Sequence, residues 1–140
     1  MNQEESATMV NEYMRRIDRR AGQIAFKADE SVAFSALTYQ GLKVEVGLAV
    51  DDQGETDLLT SVSLMATPRR KQEAFYKQLL RWNNFMSGIG HFSLGADENT
   101  VFLVCRRPVA GLDFEEFEAM MVNMTQTGFG AIQAINQMFR

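Results

Sequence analysis

LLRWNNFMSGIGHFSLGADENTVFLVCRRPVAGLDFEEFEAMM, residues 79–121, is the stretch that decides the fold. It reads as the end of an amphipathic helix, a break at Ser87-Gly88-Ile89-Gly90, a two-stranded hairpin, a proline corner and a second helix. The hairpin strands are His91–Leu94 and Thr100–Arg106, joined through Gly95-Ala96-Asp97-Glu98-Asn99. In the second strand Val101, Leu103 and Cys105 point one way and Phe102 and Val104 the other. Both faces are apolar, so this strand is central or covered by a second chain. Pro108 and Gly111 turn the chain. Asp113, with Glu116 three residues on, has the spacing of a capping box. Phe117, Met120, Met121 and Met124 form the apolar stripe of the last helix, and Ile132, Ile135, Met138 and Phe139 resume it after Gly128 and Gly130, which weaken it.

Upstream of that stretch, a helix of residues 67–86 starts at Thr67-Pro68, a hydroxyl cap followed by proline in the first helical position. Phe75, Leu79, Trp82 and Met86 lie on one side, and Tyr76, Leu80 and Phe85 widen the arc. So broad an apolar arc implies burial on two sides, either as a core helix or as a helix that also meets a second copy. Before it comes an antiparallel meander. Leu42, Val44, Val46, Leu48 and Val50 alternate with Lys43, Glu45, Gly47 and Ala49, which predicts a strand with one buried face. Gly47 and Ala49 leave the other face open enough to admit another backbone. Val32–Tyr39 precedes this strand across the Gln40-Gly41 turn, and Thr60–Met65 follows the Asp51-Asp52-Gln53-Gly54 turn, with Met65 beside Ser61 and Ser63. Ile24–Lys27 reads as a short lead-in strand. At the start, residues 2–8 read as frayed and a helix runs to about Arg19, with Met9, Val10, Tyr13, Met14 and Ile17 at helical period. Arg15, Arg16, Arg19 and Arg20 crowd its end, where cations suit the helix dipole; the alternative reading is a phosphate or acidic-partner patch. The expected architecture is a single α+β domain over residues 1–140, in the order α-β-β-β-α-β-β-α, with helices packed on a twisted antiparallel sheet.

Charge and composition narrow the function. A net charge of −4 in 140 residues lacks the basic face that nucleic-acid binding requires. Apolar runs all fall short of the ~20 residues of a membrane span, and the polar, acidic start has no basic leader segment, so a cytoplasmic protein is expected. One histidine and one cysteine make a metal site unexpected. His91 and Cys105 are the only base–nucleophile candidates, on neighbouring strands and without a supporting signature; Cys105 reads as a small core hydrophobe. Gly88-Ile89-Gly90 lacks the lysine of a phosphate loop. Neither an enzyme nor a cofactor is expected.

The chain resembles the class I type III secretion chaperones, the family that includes the Tir chaperone. The resemblance is carried by Leu79-Leu80-Arg81-Trp82-Asn83-Asn84, Gly90-His91-Phe92-Ser93-Leu94, Val101 to Pro108 and Gly111-Leu112-Asp113-Phe114-Glu115-Glu116-Phe117. Trp82-Asn83 departs from the commoner Leu-x-x-Asn helix end and is also similar to the YbjN-like proteins of the same fold, which gives an alternative reading as a regulatory or interaction domain without an export client. A small-ligand domain is a third class, with few converging polar groups to support it. The resemblance implies a homodimeric, non-enzymatic chaperone that keeps the N-terminal region of a secreted effector extended and export-competent, with the secretion-apparatus ATPase as a further candidate partner. It places the dimer interface at Phe75, Tyr76, Leu79, Trp82 and Phe102, and effector binding at Met9, Tyr13, Met14, Val32, Phe34 and Leu37. Core packing is the competing account of the first-helix residues.

Overall fold

Alternating apolar residues build the sheet row by row. A computed structural model of the chain describes residues 1–86 and 90–139. Its elements are α1 (Gln3–Ile17), β1 (Val32–Tyr39), β2 (Leu42–Val50), β3 (Thr56–Ala66), α2 (Gln72–Phe85), β4 (His91–Leu94), β5 (Thr100–Pro108) and α3 (Phe114–Phe139). This is the element order expected from the sequence. The strands form one antiparallel sheet in the order β1-β2-β3-β5-β4.

One row crosses all five strands: Leu37 faces Val44, Val44 faces Val62, Val62 faces Leu103 and Leu103 faces Phe92. Every member is buried. The helices cover this face: α1 lies over β1 and β2, α3 over β3, and α2 against β4. Val10 and Met14 from α1 and Phe117, Met121, Met124 and Ile135 from α3 complete the core. Each large apolar side chain buried here contributes about 1.5–3 kcal/mol relative to exposure. Among the described residues no element covers the opposite face, where Phe34, Gly47, Leu59 and Arg106 form the neighbouring row.

Local details depart from expectation where distant partners intervene. Residues 2–8 are not frayed: the Asn2 side chain accepts from the Glu5 N–H at 2.8 Å, and the Glu5 carboxylate accepts from the Asn2 N–H, closing a capping box. Ile24–Lys27 is not a strand. The Asn11 side chain holds both backbone groups of Ile24, accepting from its N–H at 2.7 Å and donating to its carbonyl at 2.9 Å. Thr67 does not cap α2. Its hydroxyl donates to the Glu98 carbonyl and its N–H to the Asn99 carbonyl, so the helix waits until Gln72, after Lys71 in a left-handed turn (φ 57°). A bulge at Leu64 pairs Met65 with Val101, moving Met65 to the covered side. The last helix does open as expected, with Asp113 accepting from the Glu116 N–H at 2.8 Å, but Glu116 turns its own carboxylate to Arg107. It also runs through Gly128, where Leu64 packs so closely that a Cβ would approach its methyl to 3.0 Å. The expected break at residues 87–89, and with it most of the Gly88-Ile89-Gly90 segment, lies outside the described residues. Gly90 has φ 129°, and a Cβ there would overlap the Val104 carbonyl.

Candidate functional site

A sheet with two edges has two rows of backbone groups that need partners. At β4 the requirement is met from within at one residue, Phe92. Asn83, in the last turn of α2, donates from its side-chain amide to the Phe92 carbonyl at 3.0 Å and accepts from the Phe92 N–H at 2.6 Å. Trp82 supports the arrangement with its ring 5.5 Å from that of Phe92. The asparagine occupies the position of a neighbouring strand, so this edge is closed at Phe92.

β1 is different. In an antiparallel ladder the backbone groups of alternate residues point away from the partner strand. The outward set is identified by its occupied members: the Ala36 carbonyl accepts from the Gly22 N–H at 3.0 Å, and the Thr38 N–H donates to the Asp18 carboxylate at 2.9 Å. By the same two-residue period, Val32 and Phe34 present their N–H and C=O groups outward. Among the described residues these groups, and the Ala36 N–H, have no hydrogen-bond partner. The expected lead-in strand could have filled the gap, but Asn11 binds the Ile24 backbone instead. The edge of β1 is therefore closed at its C-terminal end and open over Val32–Ala36.

The open edge carries apolar side chains. Val32 is 40% exposed and Phe34 57%, both on the uncovered face of the sheet. The Phe34 ring lies over Gly47 of β2 and fills the space a Cβ would take. The opening that the small residues of β2 were expected to leave is thus occupied by a residue of the same chain.

The other residues predicted for partner binding separate by burial. Met9 and Tyr13 are half-buried; the Tyr13 ring packs 5.8 Å from both Phe114 and Phe117. Met14 and Leu37 are buried between α1 and the sheet and present no surface. Of the residues predicted for the dimer interface, Phe75 is fully buried, edge-on to Phe139 at 5.4 Å, and Leu79 is buried beside it in the core. Tyr76, Trp82 and Phe102 are half-buried. The exposed apolar residues of α2 are Leu80 at 68% and Phe85 at 83%, which the sequence marks only as widening an arc. Phe85 also borders an apolar cavity of about 330 Å³ between the end of α2, Phe92 and the Gly130–Ala134 turn of α3.

The geometry removes the one nucleophilic pairing the sequence allows. His91 is registered with Val104 and belongs to the uncovered face, whereas Cys105 is registered with Thr60 on the covered face. Burial pushes the Cys105 thiol above its ordinary pKa, which leaves it a poor nucleophile. Among the described residues no three His, Cys, Asp or Glu side chains cluster so as to hold a metal ion, and no helix is long and apolar enough to cross a membrane. What the surface offers is a short strand edge with two apolar side chains.

Residues 16–127 match the model of the Tir chaperone protein (CesT) family. The chain belongs to that family. No curated protein matches it in sequence. Solved structures similar to this CesT-family chain include one of the ExsC–ExsE complex, at 20% identity and TM-score 0.64, covering 95% of this chain and 96% of the other. Another is the Yersinia pestis type III secretion chaperone SycH in complex with a stable fragment of YscM2, at 12% identity and TM-score 0.59, with 89% and 98% covered. A third is the HopA1–SchA chaperone–effector complex, at 14% identity and TM-score 0.57, with 90% and 91% covered. At these identities the likeness is one of fold. Family and neighbours agree with the chaperone resemblance and lend no support to the YbjN-like alternative.

Proposed function

We propose that this chain is a type III secretion chaperone that binds a secreted effector as an extended segment along the open part of β1, acting in the bacterial cytoplasm as a homodimer and without catalysis. The observation that carries the reading is the run of unpartnered backbone groups at Val32–Ala36 beside exposed Val32 and Phe34. Strand addition draws affinity from main-chain hydrogen bonds and specificity from alternate side chains, and this edge supplies both. Met9 and Tyr13 lie on the helix-covered side of the sheet, Tyr13 against Phe114 and Phe117, and are proposed as a second client contact separate from this edge. Tyr76 and Trp82, with Leu80 and Phe85, are the accessible part of the proposed dimer face on α2, and Phe102 belongs to the uncovered face of the hairpin. The secretion-apparatus ATPase has no feature of the chain assigned to it. Two of the neighbours are described as a chaperone with a bound protein fragment and as a chaperone–effector complex, which supports the same use of the fold here.

Hydrogen exchange of the chain with and without an effector from the same bacterium is the direct test. Protection gained over residues 31–37 is the expected result. Protection confined to α2 and the β4–β5 hairpin would mean that the client face and the dimer face are exchanged.

A further inference from the structure

The open edge ends in opposite charges. Beyond Thr38, Arg20 and Lys43 line one cleft with Ala36, Thr38 and Asp18. The acid in that cleft keeps its charge but turns to the backbone: one Asp18 oxygen accepts from the Arg20 N–H at 3.0 Å and the other from the Thr38 N–H, so the two cations outnumber it there. Exposed Glu45 is registered with Ala36 on the uncovered face. Neither cation takes part in a salt bridge among the described residues. Before Val32 the balance is reversed. The Val50 N–H donates to the Ser31 carbonyl, which joins the 29–30 and 51–52 segments. All four acids are exposed, Asp51 with one oxygen turned to the Gln53 and Glu55 N–H groups, and Lys27 is the cation nearest in sequence.

Resting on the strand-addition reading above, we infer that the bound segment is polarised. It runs antiparallel to β1, continuing the pattern of the sheet, with an acidic side chain preceding its strand and basic residues following it. The acidic residue enters the Arg20–Lys43 cleft, and the basic ones meet the Asp29–Glu30 and Asp51–Asp52 corner. Two apolar residues at alternate positions lie beside Val32 and Phe34. The segment is short, because the Gly22 bond to Ala36 and the Asp18 bond to Thr38 stop the ladder there.

Two synthetic peptides test this on the intact chain: Asp-Asp-Thr-Val-Thr-Val-Thr-Lys-Lys and its charge-exchanged form Lys-Lys-Thr-Val-Thr-Val-Thr-Asp-Asp, each blocked at both ends. Binding is read from the amide resonances of residues 31–38 at low salt. The acid-first peptide is expected to bind about fivefold more tightly, the scale of a few exposed ion pairs. The difference should shrink as added salt shortens the screening length from about 10 Å at 0.1 M to about 3 Å at 1 M. Reversing the cleft with Arg20→Glu and Lys43→Glu, both at exposed positions, should abolish or invert the preference. Equal binding of both peptides at these amides overturns the polarity and leaves strand addition standing, and preference for the basic-first peptide overturns the antiparallel direction. If neither peptide moves these amides, including the case of an edge already taken by a second copy, both readings fail.

Discussion

Phe34 and Gly47 sit opposite each other on β1 and β2, and the ring of the first occupies the place of the missing side chain of the second. An exposed aromatic is thereby packed on one side and available on the other. Gly47→Ala should push the ring off its seat and cost about 0.5–1 kcal/mol, the scale of a cross-strand pair. In a Phe34→Ala background the same change should be neutral or slightly stabilising, because alanine suits a strand better than glycine once the ring is gone. Denaturant unfolding of the four proteins in this cycle measures the coupling.

Asn83 and Asn11 each hold both backbone groups of one residue, Phe92 and Ile24. Replacing either by alanine strands part-buried or buried donors and acceptors, at about 1–3 kcal/mol for each group left unsatisfied. Asn83→Asp should be no rescue, since a carboxylate can accept from the Phe92 N–H but repels its carbonyl. Thermal unfolding of Asn83→Ala, Asn83→Asp and Asn11→Ala checks the order.

Association should depend on the exposed part of α2 and not on its core. Light scattering of the unaltered chain at micromolar concentration should give about twice the 15.8 kDa chain mass. Phe85→Glu or Leu80→Glu should lower that mass with little change in unfolding temperature. Phe75→Ala should instead cost about 3–5 kcal/mol through the cavity it leaves beside Phe139. A wild-type chain that stays monomeric on concentration removes the dimer from the proposal.

Asp18 links the end of α1 to β1, and the bonds from the Thr38 and Arg20 N–H groups hold its carboxyl below the ordinary aspartate value. A depressed folded pKa contributes stability that is present above the unfolded value, about 3.9, and lost as pH falls through the lower folded one. The Thr38 amide resonance should therefore titrate with a midpoint below that value. Asp18→Ala should abolish the step and leave the Thr38 N–H free to exchange, lengthening the open edge by one donor.

Element order was legible in the sequence because each segment announces itself locally: the alternation of residues 42–50, the stripe of Met9 to Ile17, the Asp113 cap. The Asn2–Glu5 capping box is equally local, an Asn followed three residues later by Glu, and it fixes a start that composition alone suggests is frayed. Other departures arise from partners far along the chain. Ile24 looks like a strand residue until Asn11 claims its backbone, and Thr67 looks like a cap until the Glu98 loop takes its hydroxyl. For the site, Val32, Phe34 and Leu37 belong to one apolar run, yet period two cannot say which face a helix will cover. Buried Met14 and exposed Phe34 look alike as apolar residues in a pattern; only packing separates them.

Because the helices crowd one side of the sheet, the residues that hold the chain together and the residues proposed to hold a client along β1 are different residues. Leu103 cannot change without loosening the core, whereas Val32 and Phe34 carry little of it. On the proposed reading, single substitutions at the open edge would change cargo preference while leaving foldability intact.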